Sequence, residues 1–81
     1  MRIHVRLFAL ARQLADNDTI AVDLPAGAVV ADLRHVLAEQ YPDLADLLPH
    51  AMFAINTQYA NDDSPPAADA EIACIPPVSG G

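Results

Sequence analysis

Arg2-Ile3-His4-Val5-Arg6-Leu7-Phe8 alternates, and its reading decides the fold. Successive side chains of a strand point to opposite faces, so Ile3, Val5 and Leu7 share one face and Arg2, His4, Arg6 and Phe8 the other. That is the pattern of a half-buried strand. Ala9 to Ala15 changes to helical spacing, with Leu10 and Leu14 four apart, and Asp16-Asn17-Asp18 carries turn chemistry. Thr19 to Leu24 alternates again, with Ile20, Val22 and Leu24 on one face. Two such strands joined by a short helix and a turn predict an antiparallel pair.

Pro25-Ala26-Gly27 breaks the alternation. From Val29 or Val30 to about Gln40, the residues Val30, Leu33, Val36 and Leu37 form a helical stripe. Asp32 lies near its start, where the helix dipole favours an acid. No Ser, Thr, Asp or Asn directly precedes Val29 as an N-cap, and Tyr41-Pro42 ends the helix. Asp43 to Pro49 is a leucine-rich connector. Met52 to Asn56 predicts a third strand, with Phe53 and Ile55 on one face. Asn56-Thr57 is a candidate turn and Gln58-Tyr59-Ala60 a short return strand. After a loop at 61–66, Glu71 to Ile75 predicts the last strand, with Ile72 and Cys74 on one face and Glu71, Ala73 and Ile75 on the other. A helix after a β-hairpin lays its apolar stripe on the one apolar face of the sheet. The expected fold is α+β, a mixed sheet covered on one face by a main helix.

The chain has 81 residues, enough for one domain with a modest core. Much of its 53% hydrophobic content is Ala, and Phe8, Tyr41, Phe53 and Tyr59 are its only aromatic residues. Such a core has little room for an internal catalytic cleft, so action at the surface or at an end is expected. The net charge of −7, with four Arg and no Lys, argues against nucleic acid and anionic membranes as partners. It suits docking on basic proteins. Cys74 is the only cysteine, so no internal disulfide can form. Met1-Arg2-Ile3 runs straight into the strand pattern with no signal-peptide core, and the cytoplasm is the expected location. His4, His35 and His50 are scattered, and no metal site is expected.

The strongest functional signal is Ile75-Pro76-Pro77-Val78-Ser79-Gly80-Gly81. The prolines make a stiff, extended segment without backbone donors. Val78 to Gly81 adds a reach of at most roughly 13–14 Å. Gly80 and Gly81 have no side chain and can thread a narrow channel. Residues 1–75 thus read as a domain and residues 76–81 as an extended arm presenting the Gly81 carboxylate.

This tail resembles that of the molybdopterin synthase small subunit, a sulfur carrier of the ubiquitin-like β-grasp group. So do the strand Glu71 to Ile75, Ile55-Asn56 in the third strand, and the opening strand running into Phe8-Ala9-Leu10-Ala11-Arg12. The resemblance spans nearly the whole chain, and Pro-Pro-Val-Ser-Gly-Gly is its most specific part. The family usually has an acidic-Gly-acidic turn where Ala68-Asp69-Ala70-Glu71 stands, and often a capping Thr in place of Val29. The resemblance implies a β-grasp fold and no bound cofactor. It also implies a reaction cycle in which an ATP-dependent activating enzyme adenylates Gly81. A sulfur donor protein supplies the sulfur, and the resulting thiocarboxylate enters the large subunit of the synthase to sulfurate a pterin precursor. Catalytic groups would belong to these partners, and the chain would have no activity alone. The carrier for thiamin thiazole synthesis and a lysine-directed protein modifier share the Gly-Gly end and remain alternatives, as does an interaction module with an inert tail.

A docking patch is also expected. Alternation puts Phe8 and Ile75 opposite the core residues of their strands, and Tyr59 follows the turn after Asn56. The main helix covers only one face, so Phe8, Tyr59 and Ile75 would form an apolar patch beside the tail.

Overall fold

The computed structural model describes residues 1–77. The strands are β1 (Arg2–Leu7), β2 (Thr19–Asp23), β3 (Met52–Ile55), β4 (Gln58–Ala60) and β5 (Ile72–Ile75). The helices are α1 (Ala9–Ala15) and α2 (Val30–Gln40). The leucine-rich connector folds into two 3₁₀ turns, Pro42–Leu44 and Leu48–His50, which bury Leu44, Leu47 and Leu48.

The strands form one sheet in the order β2-β1-β5-β3-β4. β1 and β5 run parallel, and the other neighbours are antiparallel. This is the expected mixed sheet of a β-grasp fold. Its registers align the apolar positions: Val5 lies opposite Ile20 and Ile72, Leu7 opposite Cys74, and Cys74 opposite Phe53. Val30, Leu33 and Leu37 of α2 are buried in the same core. Among the described residues no polar or charged side chain is buried, and no helix is long and apolar enough to cross a membrane.

Helix α1 forms where its spacing predicts, but Leu10 and Leu14 face outward and the small Ala11 is the residue turned into the core. Asp16 ends the helix in the left-handed region, φ 55°. Gly27, at φ 86°, makes the turn after β2, where the Ala28 N–H donates to the Pro25 carbonyl at 3.2 Å.

The missing N-cap of α2 is replaced from two sources. The Asp32 carboxylate accepts from the Val29 N–H at 2.9 Å, one half of a capping box. The N–H groups of Val30 and Ala31 donate to the carbonyls of Ser64 (2.9 Å) and Asp62 (3.1 Å). The loop before β5 therefore satisfies orphan donors at the helix start. Arg34 adds a second tie. Its guanidinium donates to the Leu48 carbonyl, to the Ala51 carbonyl at 2.7 Å and to Asp62 at 2.9 Å. It also lies 5.0 Å from the centre of the Phe53 ring.

The hairpin between β3 and β4 turns on Asn56 (φ 50°) and Thr57 (φ 70°). Asn56 also joins β3 to the start of β5: its N–H donates to the Glu71 carbonyl at 2.8 Å, and its side-chain oxygen accepts from the Glu71 N–H at 3.0 Å. Before β5 the chain turns without glycine, the Ala70 N–H donating to the Ala67 carbonyl at 3.0 Å.

Candidate functional site

With α2 on one side, the opposite sheet face is left open. The registers set Arg6, Ala73, Ala54 and Tyr59 in one row across β1, β5, β3 and β4. Continued one step, the parallel register brings Phe8 alongside Ile75. The methyl groups of Ala54 and Ala73 are too short to fill this face, whereas Phe8, Tyr59 and Ile75 stand up around them. The result is a shallow, mainly apolar groove of about 420 Å³, lined also by Thr57 and Glu71. Phe8 is 40% exposed and Tyr59 69%, so large apolar surface faces outward here.

One polar pair edges the groove. Arg6 meets Glu71 at 3.3 Å and lies 5.4 Å from the centre of the Phe8 ring. Both side chains are exposed, so the ion pair adds little stability and can rearrange against a partner.

The three residues named as a patch from sequence are thus brought together around one concavity. Pro76 is buried and Pro77, the last described residue, is exposed and follows Ile75 at one end of the groove. Val78, Ser79, Gly80 and Gly81, the rest of the arm, lie outside the described residues. Sequence reasoning missed Ala54, Ala73 and Thr57. The two alanines carry a legible signal only once the register is known, because they oppose each other across β3 and β5.

A second concavity, about 810 Å³, opens between the end of α1 and the start of β2. It is larger but polar, and its lining residues Arg12 and Asp18 already pair with each other at 3.1 Å. The apolar groove is the better candidate because it adjoins Pro77, the last described residue before the Gly-Gly end.

No nucleophile is exposed at the groove floor. Cys74 points into the core, and burial pushes its thiol up to about 11, with Arg34 opposing the rise only in part. Among the described residues no cluster of three or more His, Cys, Asp or Glu could hold a metal ion.

Comparison with known proteins agrees with this architecture. The pattern of the ThiS family matches residues 5–81. The chain is 31% identical over 81 residues to the molybdopterin synthase sulfur carrier subunit of Arabidopsis thaliana, covering 100% of this chain and 84% of that one. It is 36% identical over 81 residues to the protein of the same name in Caenorhabditis briggsae, covering 98% and 96%. Among solved structures, small archaeal modifier protein 1 of Haloferax volcanii superposes with a TM-score of 0.85 at 29% identity, covering both chains fully. With a β-grasp sheet, an open apolar face and a family match running through Gly80 and Gly81, the chain belongs to the ThiS family.

Proposed function

We propose that this chain is the sulfur carrier subunit of a molybdopterin synthase and that it works through Gly81. The observation that carries the reading is the family match extending to residue 81, so that it includes the Gly-Gly end. The relatives named as sulfur carrier subunits, matched over nearly their whole length, support it.

The chemistry follows from the weak electrophilicity of a carboxylate. An activating partner joins the Gly81 carboxylate to the adenylyl group of ATP, and pyrophosphate leaves. Sulfur at the sulfide level (HS⁻), released by a donor protein, then attacks the carbonyl carbon, and AMP leaves with the electron pair of the broken C–O bond. The resulting thiocarboxylate sulfur is a soft nucleophile that attacks an electrophilic carbon of a pterin precursor within the synthase's other subunit and displaces an oxygen leaving group from it. Hydrolysis of the acyl link returns the Gly81 carboxylate. ATP is consumed by the activating partner and is not a resident cofactor of this chain. The acid, base and oxyanion groups belong to the partners, and the carrier contributes reach and docking. Its body, residues 1–75, presents the open-face groove of Phe8, Tyr59 and Ile75 to them. The arm, residues 76–81, delivers the sulfur.

The test is the intact mass of the protein purified from its own host. A single sulfur-for-oxygen exchange placed on the last residue supports the reading. A second arm adds one residue after Gly81, which should abolish sulfur transfer without disturbing the fold. Normal cofactor synthesis by the extended, untrimmed protein would sink it.

A second reading is favoured by the Haloferax neighbour, whose name is that of a modifier. Here the activated Gly81 carbonyl is attacked by a lysine amine of a target instead of by sulfur. The chain contains no lysine, so lysine-linked chains of itself are chemically excluded. Conjugates would be single additions at each target lysine. A series of higher-mass conjugates in cells, absent when Gly81 is deleted, would select this reading.

A further inference from the structure

The β3–β4 turn is a two-residue hairpin with both central residues at positive φ, the type I′ form. Asn tolerates that region, and Asn56 uses its side chain to hold Glu71. The second position is one where glycine fits without strain. Here it is Thr57, a β-branched residue at φ 70°, which is a steric outlier.

Nothing within the fold accounts for Thr57. It is exposed and has no place in the core. Among the described residues its hydroxyl donates only to the Asn56 carbonyl, in the same turn. Yet its side chain lines the groove, beside Tyr59 and Glu71. Backbone strain kept without internal compensation points to use at a surface.

We propose that Thr57 is a specificity-determining contact for the protein that receives the Gly81 end, and that it marks the far limit of that protein's footprint on the sheet. The inference rests on the docking reading above and deepens it. The occupant follows from reach. Pro77 is exposed, and Gly81 stands four residues beyond it, a reach of at most roughly 14 Å. A protein holding Gly81 in its site is therefore kept close to the Ile75 end of the groove. Thr57 lies at the Glu71 end, one four-residue strand away, roughly 13 Å. An interface of ordinary size, about 800 Å² on each partner, spans that distance easily. Its apolar centre would cover Ala54, Ala73 and Tyr59, and its edge would meet the Thr57 methyl and hydroxyl.

The test compares Thr57→Gly, Thr57→Ser and Ile75→Asp with the native chain, using calorimetric binding to the purified partner subunit of the synthase and thermal unfolding. Thr57→Gly should raise Tm by a few degrees, since relief of strain outweighs the added freedom of the unfolded chain. It should weaken association roughly five- to tenfold. Thr57→Ser keeps the hydroxyl and loses the methyl, and should fall between. Ile75→Asp tests the groove itself. If Ile75→Asp weakens binding and Thr57→Gly does not, the role of Thr57 is overturned and the docking reading stands. If neither changes affinity, the docking reading fails and takes the inference with it. A lower Tm in Thr57→Gly would show that threonine serves the turn's own stability, and would also overturn the proposal.

Discussion

Arg34 and Asp62 meet at 2.9 Å, joining the middle of the main helix to the loop whose carbonyls cap its start. The same guanidinium holds the carbonyls of Leu48 and Ala51, both buried residues. One side chain thus ties α2 to the connector, to the start of β3 and to the loop before β5.

Arg34→Ala removes all of these ties and leaves two backbone acceptors without their partner. Water can reach the site in part, because Arg34 is itself 22% exposed. The expected loss is about 2–3 kcal/mol of unfolding free energy. Arg34→Lys should recover less than half, because a point charge cannot bridge the three acceptors that the planar fork reaches. Chemical denaturation with a constant m-value checks both.

The strands were legible because burial on one face imposes a period of two, and Ile3, Val5, Leu7, Ile20, Val22, Ile72 and Cys74 obey it without exception. The main helix was legible from Val30, Leu33 and Leu37 for the corresponding reason. Three features were not. Leu10 and Leu14 have the spacing of a buried stripe, but spacing does not say which side of a two-turn helix meets the sheet, and Ala11 turns inward instead. Part of the cap of α2 comes from Asp62 and Ser64, some thirty residues along the chain. The floor of the groove depends on Ala54 facing Ala73, a long-range register that no local pattern encodes. Of the candidate site, Phe8 and Ile75 could be picked out by alternation and Tyr59 from the turn before it, whereas the small residues that shape the cavity could not.

Cys74 should give the fold an alkaline weakness. Burial raises its thiol from an ordinary value of 9.0 to about 11 in the folded chain. The folded state therefore holds its proton where the unfolded state has lost it. This contribution is complete below pH 9 and disappears as the pH rises through about 11. The loss should approach about 3 kcal/mol. Cys74→Ala costs stability through the small cavity it leaves, but its stability should fall less steeply between pH 9 and 11. Equal slopes for the two proteins would refute the assignment.

Phe8→Asp should separate docking from folding. The ring stands on the open face, 40% exposed, and is not part of the core. Placing a carboxylate there puts a charge against the apolar centre of the proposed interface. Affinity for the partner subunit should fall by about 1–3 kcal/mol, the range of interface hot spots. Tm should change little, because the ring lies outside the buried core. If Tm collapses while the folded fraction binds normally, the ring serves the core and not the interface.

Gly80→Val should block activation more than docking. A β-branched side chain narrows the backbone angles open to the arm and adds bulk that a channel admitting only Gly-Gly must reject. The groove of Phe8, Tyr59 and Ile75 is untouched by the change, and it supplies most of the contact area in the proposed complex. Binding to the partner subunit should therefore stay within about threefold of native, a difference of under 1 kcal/mol. Thiocarboxylate formation by the activating partner should fall by at least about a hundredfold, since displacement of the reacting carbon by even 1 Å costs that much. Measuring affinity by calorimetry and thiocarboxylate by intact mass on the same preparation compares the two directly. Equal losses in both would mean that the arm, and not the sheet face, dominates association.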